Sequence, residues 1–121
     1  MELTVGELRE ARIPLIKIMT AEQPFKLAYR LKKIAKTLET ELREIEKVRI
    51  EKVKKYGTVL PDGNLQVIGE NLETFQKEME EINNTKINLE IQPIPLDLLE
   101  GVRLSPLEVM RLERFIEDSR G

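Results

Sequence analysis

The side chains that could do chemistry are unevenly spread along these 121 residues. From Gln23 to Leu38 the chain carries Lys26, Arg30, Lys32, Lys33 and Lys36 and no acidic residue. Set on a helix at about 100° per residue, Lys26, Arg30 and Lys33 form one stripe. Tyr29, Lys32 and Lys36 form a second, roughly opposite the apolar seam of Leu27, Leu31, Ile34 and Leu38. An Arg guanidinium is a planar fork for phosphate, and a Tyr ring offers a face to a base or a cation. Lys26, Tyr29, Arg30, Lys33 and Lys36 are therefore the candidate anion-binding residues. Two alternatives stand beside this reading: the stripe is the solvated side of a long helix, or it docks an acidic protein surface.

The rest of the chain is poor in reactive groups. It has no His and no Cys. That removes Ser-His and Cys-His nucleophile pairs, thiolate chemistry, disulfides and ordinary zinc sites. Any acid-base work falls to carboxylates, Lys or Tyr. Glu70/Glu73 and Glu78/Glu81 have the i, i+3 spacing that can hold a hard cation, but such pairs are common on helices. Asp62-Gly63-Asn64 reads as a turn and not as a calcium loop. The glycines are isolated, so no phosphate-cradling loop is present. No catalytic residue, metal or cofactor is expected.

The formal net charge of −2 conceals an asymmetry. Residues 22–55 hold 11 basic and 6 acidic side chains, whereas residues 56–121 hold 6 basic and 13 acidic. The two halves are electrostatically complementary, within one molecule or between copies. Nucleic acid is a disfavoured partner, since the acidic half would repel a polyanion.

The elements that must position these groups follow from caps and periodicity. Thr4 and Glu7 form a T-x-x-E capping box that starts a helix, and Pro14 should break it, giving short helices near 5–12 and 14–20 within residues 1–21. Pro24 then opens a helix over 24–56, which is free of Gly and Pro after Pro24 and ends at Gly57. Its apolar residues continue through Leu42, Ile45 and Val48 at steps of three and four. At 1.5 Å per residue it is roughly 48 Å long, more than a small domain spans. Its far end is expected to meet a second copy through Leu42, Ile45, Ile50 and Val53.

Residues 58–69 read as a hairpin about Asp62-Gly63, with Val59 and Leu60 facing Leu65 and Val67. A helix is expected over 71–83, and a half-buried strand over 85–92, where Ile87, Leu89 and Ile91 alternate with polar residues. Residues 95–101 read as a single turn closed by Gly101. Ser105-Pro106-Leu107-Glu108 is a second capping box and begins a helix over 105–118. The sum is one domain over 1–121, an α+β fold that is predominantly α. A long helical spine carries shorter packed helices and a small antiparallel β element.

The order of these parts resembles a small uncharacterised protein family encoded by phages and prophages of Gram-positive bacteria. The likeness lies in the charged helix ending Lys55-Tyr56-Gly57, in the tail Leu99-Glu100-Gly101-Val102-Arg103-Leu104-Ser105-Pro106, and in Leu112-Glu113-Arg114-Phe115-Ile116. The resemblance implies a viral accessory or structural protein and supplies no catalytic residues. No stretch is apolar enough to span a bilayer and the N-terminus lacks signal-peptide character, so the cytoplasm of the bacterial host is the expected location. The leading functional expectation is a non-enzymatic, homo-oligomeric accessory protein that sequesters a phosphate-bearing small molecule such as a nucleotide immune signal. The alternative is a structural or assembly protein acting through protein–protein contacts only.

Overall fold

Thr4 sets the first boundary. Its hydroxyl accepts the Glu7 N–H at 3.1 Å, and the Glu7 carboxylate accepts the Thr4 N–H at 3.0 Å. Helix α1 follows from Val5 to Thr20 as one continuous element in a computed structural model that describes residues 1–117. The expected break at Pro14 does not occur. A mid-helix Pro removes the N–H that would bond the carbonyl four residues back and crowds that carbonyl, at a cost of about 3 kcal/mol. Here Leu8, Ala11, Pro14, Leu15 and Ile18 are all buried on one side. Docking that whole face holds the turns before and after Pro14 on a common axis.

A short connection leads to helix α2, Phe25–Tyr56. Pro24 is its N-cap rather than its first helical residue, and the Pro24 carbonyl accepts the Ala28 N–H at 3.0 Å. Leu27, Leu31, Ile34 and Leu38 are buried, as the seam required. Gly57 ends α2 with φ −78°, so no left-handed turn is involved. Space is what demands glycine: a Cβ there would run into the Val53 carbonyl and sit 2.7 Å from Leu65 Cγ.

The hairpin forms with two-residue strands, β2 (Thr58–Val59) and β3 (Leu65–Gln66), paired Thr58↔Gln66 and Val59↔Leu65. Gly63 has φ 85° in its turn, a conformation that L side chains avoid. Helix α3, Glu70–Asn83, comes next and is tied to α2 by the Lys52–Glu78 ion pair at 3.6 Å.

The strand expected over 85–92 is shorter, β4 at Lys86–Asn88, and its partner is not the hairpin. It pairs antiparallel with an unanticipated N-terminal strand, β1 (Glu2–Thr4), in the register Leu3↔Ile87. Leu89 and Ile91, past its end, are nevertheless buried. Strand β5 (Ile94–Pro95) and a 3-10 turn at Leu96–Leu99 lead to helix α4, Pro106–Arg111, capped by Ser105 and Glu108.

The helix expected over 105–118 is thus cut to one and a half turns, and Asp118 lies outside the described residues. After Arg111 the chain takes a 3-10 turn, Glu113–Phe115, and enters β6 (Ile116–Glu117), which runs parallel to β5. The reason is burial: Leu112 and Phe115 sit in the core, while Leu107, Val109 and Met110 face solvent.

The molecule is predominantly α, with two antiparallel strand pairs and one parallel pair among the described residues. One core joins α1, the first half of α2, Leu89, Ile91, Ile94, Leu112 and Phe115. From Glu39 to Asn88 no residue is buried. The second half of α2, the hairpin and α3 add no buried residue, although Leu42 and Ile45 pack on the edge of the core and Arg9 of α1 donates to Asn83 of α3. Among the described residues no helix is long and apolar enough to cross a membrane.

Candidate functional site

The N-terminal half of α2 starts without an acidic residue in its first turn and without a side-chain cap. Its first N–H groups and the positive end of its dipole are therefore not offset locally. Phe25, 80% exposed, stacks on Tyr29 with ring centroids 5.9 Å apart and planes at 22°. One turn further, Lys33 Nζ lies over the Tyr29 ring at 5.0 Å from its centre. Phe25, Tyr29 and Lys33 are spaced i, i+4, i+8, so they form a column up one side of the helix.

Arg30 stands beside that column. Its Nη2–H donates to the Pro93 carbonyl at 3.0 Å, which fixes one edge of the guanidinium against the β4–β5 connection. Arg30, Lys33 and Thr37 line a cleft of about 320 Å³ whose opposite wall is Glu90, Ile91 and Gln92. Lys26 is separated from them. It lines a different cleft, about 400 Å³, with Phe25, Asp97, Leu98 and Glu100. Lys36 lines neither cleft and is exposed. Of the five sequence candidates, the structure thus groups Tyr29, Arg30 and Lys33 and parts them from Lys26 and Lys36.

The charges of the two halves of α2 differ in how they are satisfied. In the second half, Arg43 pairs with Glu39 at 2.8 Å, Lys47 with Glu44 at 3.3 Å, Arg49 with Glu46, and Lys52 with Glu78. The Arg49 hydrogen bond holds the Glu46 carboxyl below its ordinary range, with a weaker contribution from Arg9 and Arg12. Among the described residues, none of Lys26, Arg30, Lys32, Lys33 and Lys36 takes part in an ion pair. Glu90, Asp97 and Glu100 border the two clefts without reaching them at ion-pair distance.

Sequence reasoning alone misses three contributors to this arrangement. Phe25 has a readable signal, since it lies one helical turn before Tyr29. Gln92 and the Pro93 carbonyl have none, because nothing local places residues 90–93 against residues 30–37.

The residues expected to meet a second copy are divided as well. Leu42 and Ile45 are half-buried and line a groove between α1 and α2. Val53 is half-buried and Ile50 is 40% exposed, both further along α2. Comparison of the chain with protein-family models, with curated proteins and with solved structures finds no match.

Proposed function

We propose that this chain is a non-enzymatic binding module that captures a small phosphate-bearing ligand with an aromatic part, a nucleotide being the matching probe. The observation that supports it is the set of five cations on residues 26–36 with no ion-pair partner among the described residues, alongside a second half of α2 in which four of six cations are paired. Arg30 and Lys33 supply phosphate contacts, and the Phe25–Tyr29 stack supplies a face for a base. Glu90, Asp97 and Glu100 at the borders disfavour an extended polyanion and favour a compact ligand.

The resemblance to phage-encoded proteins supports a setting in the cytoplasm of an infected bacterium, where such a module would sequester a nucleotide signal of host defence. Thermal shift and calorimetry against a panel of mono-, di- and cyclic nucleotides, with inorganic phosphate as reference, test the reading. Binding by one nucleotide, lost in Arg30→Ala and Tyr29→Ala, supports it. Absence of binding across the panel overturns it.

A second reading, a structural or assembly protein acting through protein–protein contacts, is favoured by the long run of residues 39–88, in which no residue is buried. Recovery of the protein in purified virions in stoichiometric amount supports that reading over the first.

A further inference from the structure

Around α2, at about 100° per residue, Lys33 lies between Tyr29 and Arg30. The two flanks of this cation pair differ. On the Tyr29 flank is an aromatic face, with Lys33 Nζ 5.0 Å from the ring centre, and the ring lines no part of the 320 Å³ cleft. On the Arg30 flank is the cleft itself, whose far wall carries Glu90 and Gln92 on either side of Ile91. Ile34 and Ile91 are buried and give the cleft an apolar floor. The hydrogen bond from Arg30 to the Pro93 carbonyl ties the two walls together, so their spacing is set before a ligand arrives.

The walls are opposite in charge, and that polarity selects what can lie between them. A carboxylate only accepts hydrogen bonds. A phosphate held by Arg30 and Lys33 stays at the α2 wall, and the part of a ligand that reaches Glu90 must present N–H donors. Guanine has two adjacent donors, N1–H and N2–H, that match the two oxygens of a carboxylate. Adenine and cytosine set a ring-nitrogen lone pair beside their amino group, and uracil flanks its single N–H with carbonyls. Each of these three turns a lone pair toward Glu90. The Gln92 amide supplies a donor for the guanine O6.

The cleft is at the small end of ligand pockets, which run from roughly 300 to 1,000 Å³, so it takes one base with its sugar. A base stacked on Tyr29 leaves it empty. An aromatic face accepts any base, because every base has a π-face.

We infer that the ligand is a dinucleotide, with its phosphates on Arg30 and Lys33, one base of either kind on the Phe25–Tyr29 stack, and guanine in the cleft against Glu90 and Gln92. This rests on the proposed capture of a nucleotide and adds the number and identity of its bases.

Calorimetric titration of the full chain with the linear dinucleotides pGpG and pApA and with GMP is the test. pGpG is expected to bind more tightly than pApA by roughly tenfold or more, the worth of one bidentate base contact, and more tightly than GMP. Glu90→Gln should abolish the preference for guanine, because a Gln amide pairs bidentately with adenine. Glu90 is exposed and takes part in no ion pair among the described residues, so the variant keeps the fold. Equal affinity for pGpG and pApA, both lost in Arg30→Ala, overturns the assignment of guanine and leaves nucleotide capture standing. GMP binding as tightly as pGpG overturns the second base. A preference for pGpG that Glu90→Gln leaves unchanged overturns the part given to Glu90. Absence of binding by all three compounds overturns nucleotide capture together with this inference.

Discussion

Glu7 and Arg114 are 107 residues apart in sequence and joined by a hydrogen bond of 2.8 Å from the Arg114 Nε–H to Glu7 Oε2. The other carboxylate oxygen of Glu7 accepts the Thr4 N–H. One side chain thus completes the cap of α1 and holds the 3-10 turn that carries Phe115. The start of the first helix and the last turn before β6 are linked at the edge of the core.

The same contact sets a pH dependence. The Arg114 hydrogen bond, then the Thr4 N–H, lowers the Glu7 carboxyl below its ordinary value. The Ser105 N–H, then Lys17, lowers that of Glu108. A group with a folded pKa below its unfolded one contributes stability above the unfolded value, about 4.3 for Glu. That contribution disappears as the pH falls through the lower folded value. Urea midpoints measured from pH 6 to pH 2.5 should therefore fall at the acid end. Glu7→Gln should flatten that fall, and Glu10→Gln, whose carboxylate takes part in no ion pair among the described residues, should not. An unchanged acid slope in Glu7→Gln would discount the contact.

Gly57 and Gly63 should respond differently to alanine. At Gly57 the backbone is ordinary but the space is occupied by the Val53 carbonyl and Leu65. Gly57→Ala should cost about 1–3 kcal/mol through displacement of the hairpin from α2. At Gly63 nothing lies within 4 Å of the place a methyl group would take, and only the φ of 85° opposes a side chain. Gly63→Ala should cost about 1 kcal/mol. Urea denaturation of the two variants gives the comparison, and equal losses would contradict it.

Phe115→Ala should cost about 3–5 kcal/mol, since its ring is 1% exposed in the core. Met110→Ala, five residues earlier and 69% exposed, should stay within about 0.5 kcal/mol. Thermal or chemical unfolding of both variants gives the comparison, and equal losses would contradict a buried Phe115 beside an exposed Met110.

Within the basic half of α2, alanine substitutions should rank by position. Arg30→Ala and Lys33→Ala, at one cleft beside the Tyr29 ring, should weaken nucleotide binding by about tenfold or more. Lys36→Ala should change it little. Titration of each variant with the nucleotide bound by the wild type reads the ranking, and equal losses at all three positions would indicate diffuse charge attraction.

Much of the secondary structure is legible in the sequence because it rests on interactions within a few residues. Thr4 with Glu7, Ser105 with Glu108, and Asp62-Gly63 each declare a boundary by local hydrogen bonding or local backbone freedom. The seam Leu27, Leu31, Ile34 and Leu38 declares a buried helix face by period alone. The candidate site is half legible: the acid-free run from Gln23 to Leu38 is a fact of sequence, but its division into an Arg30–Lys33 group and an isolated Lys26 is not.

The long helix, its core face, the uneven charge along it and the lack of His and Cys are all written in the order of residues. That α1 runs through Pro14, that Leu3 pairs with Ile87, and that the last helix stops at Arg111 with Leu112 and Phe115 turned inward are results of long-range packing. Capping and periodicity act over one or two turns and can be read locally. Burial of a whole helix face, or pairing of strands more than 80 residues apart, depends on which other segments of the chain pack alongside, and it overrides the local preference where the two conflict.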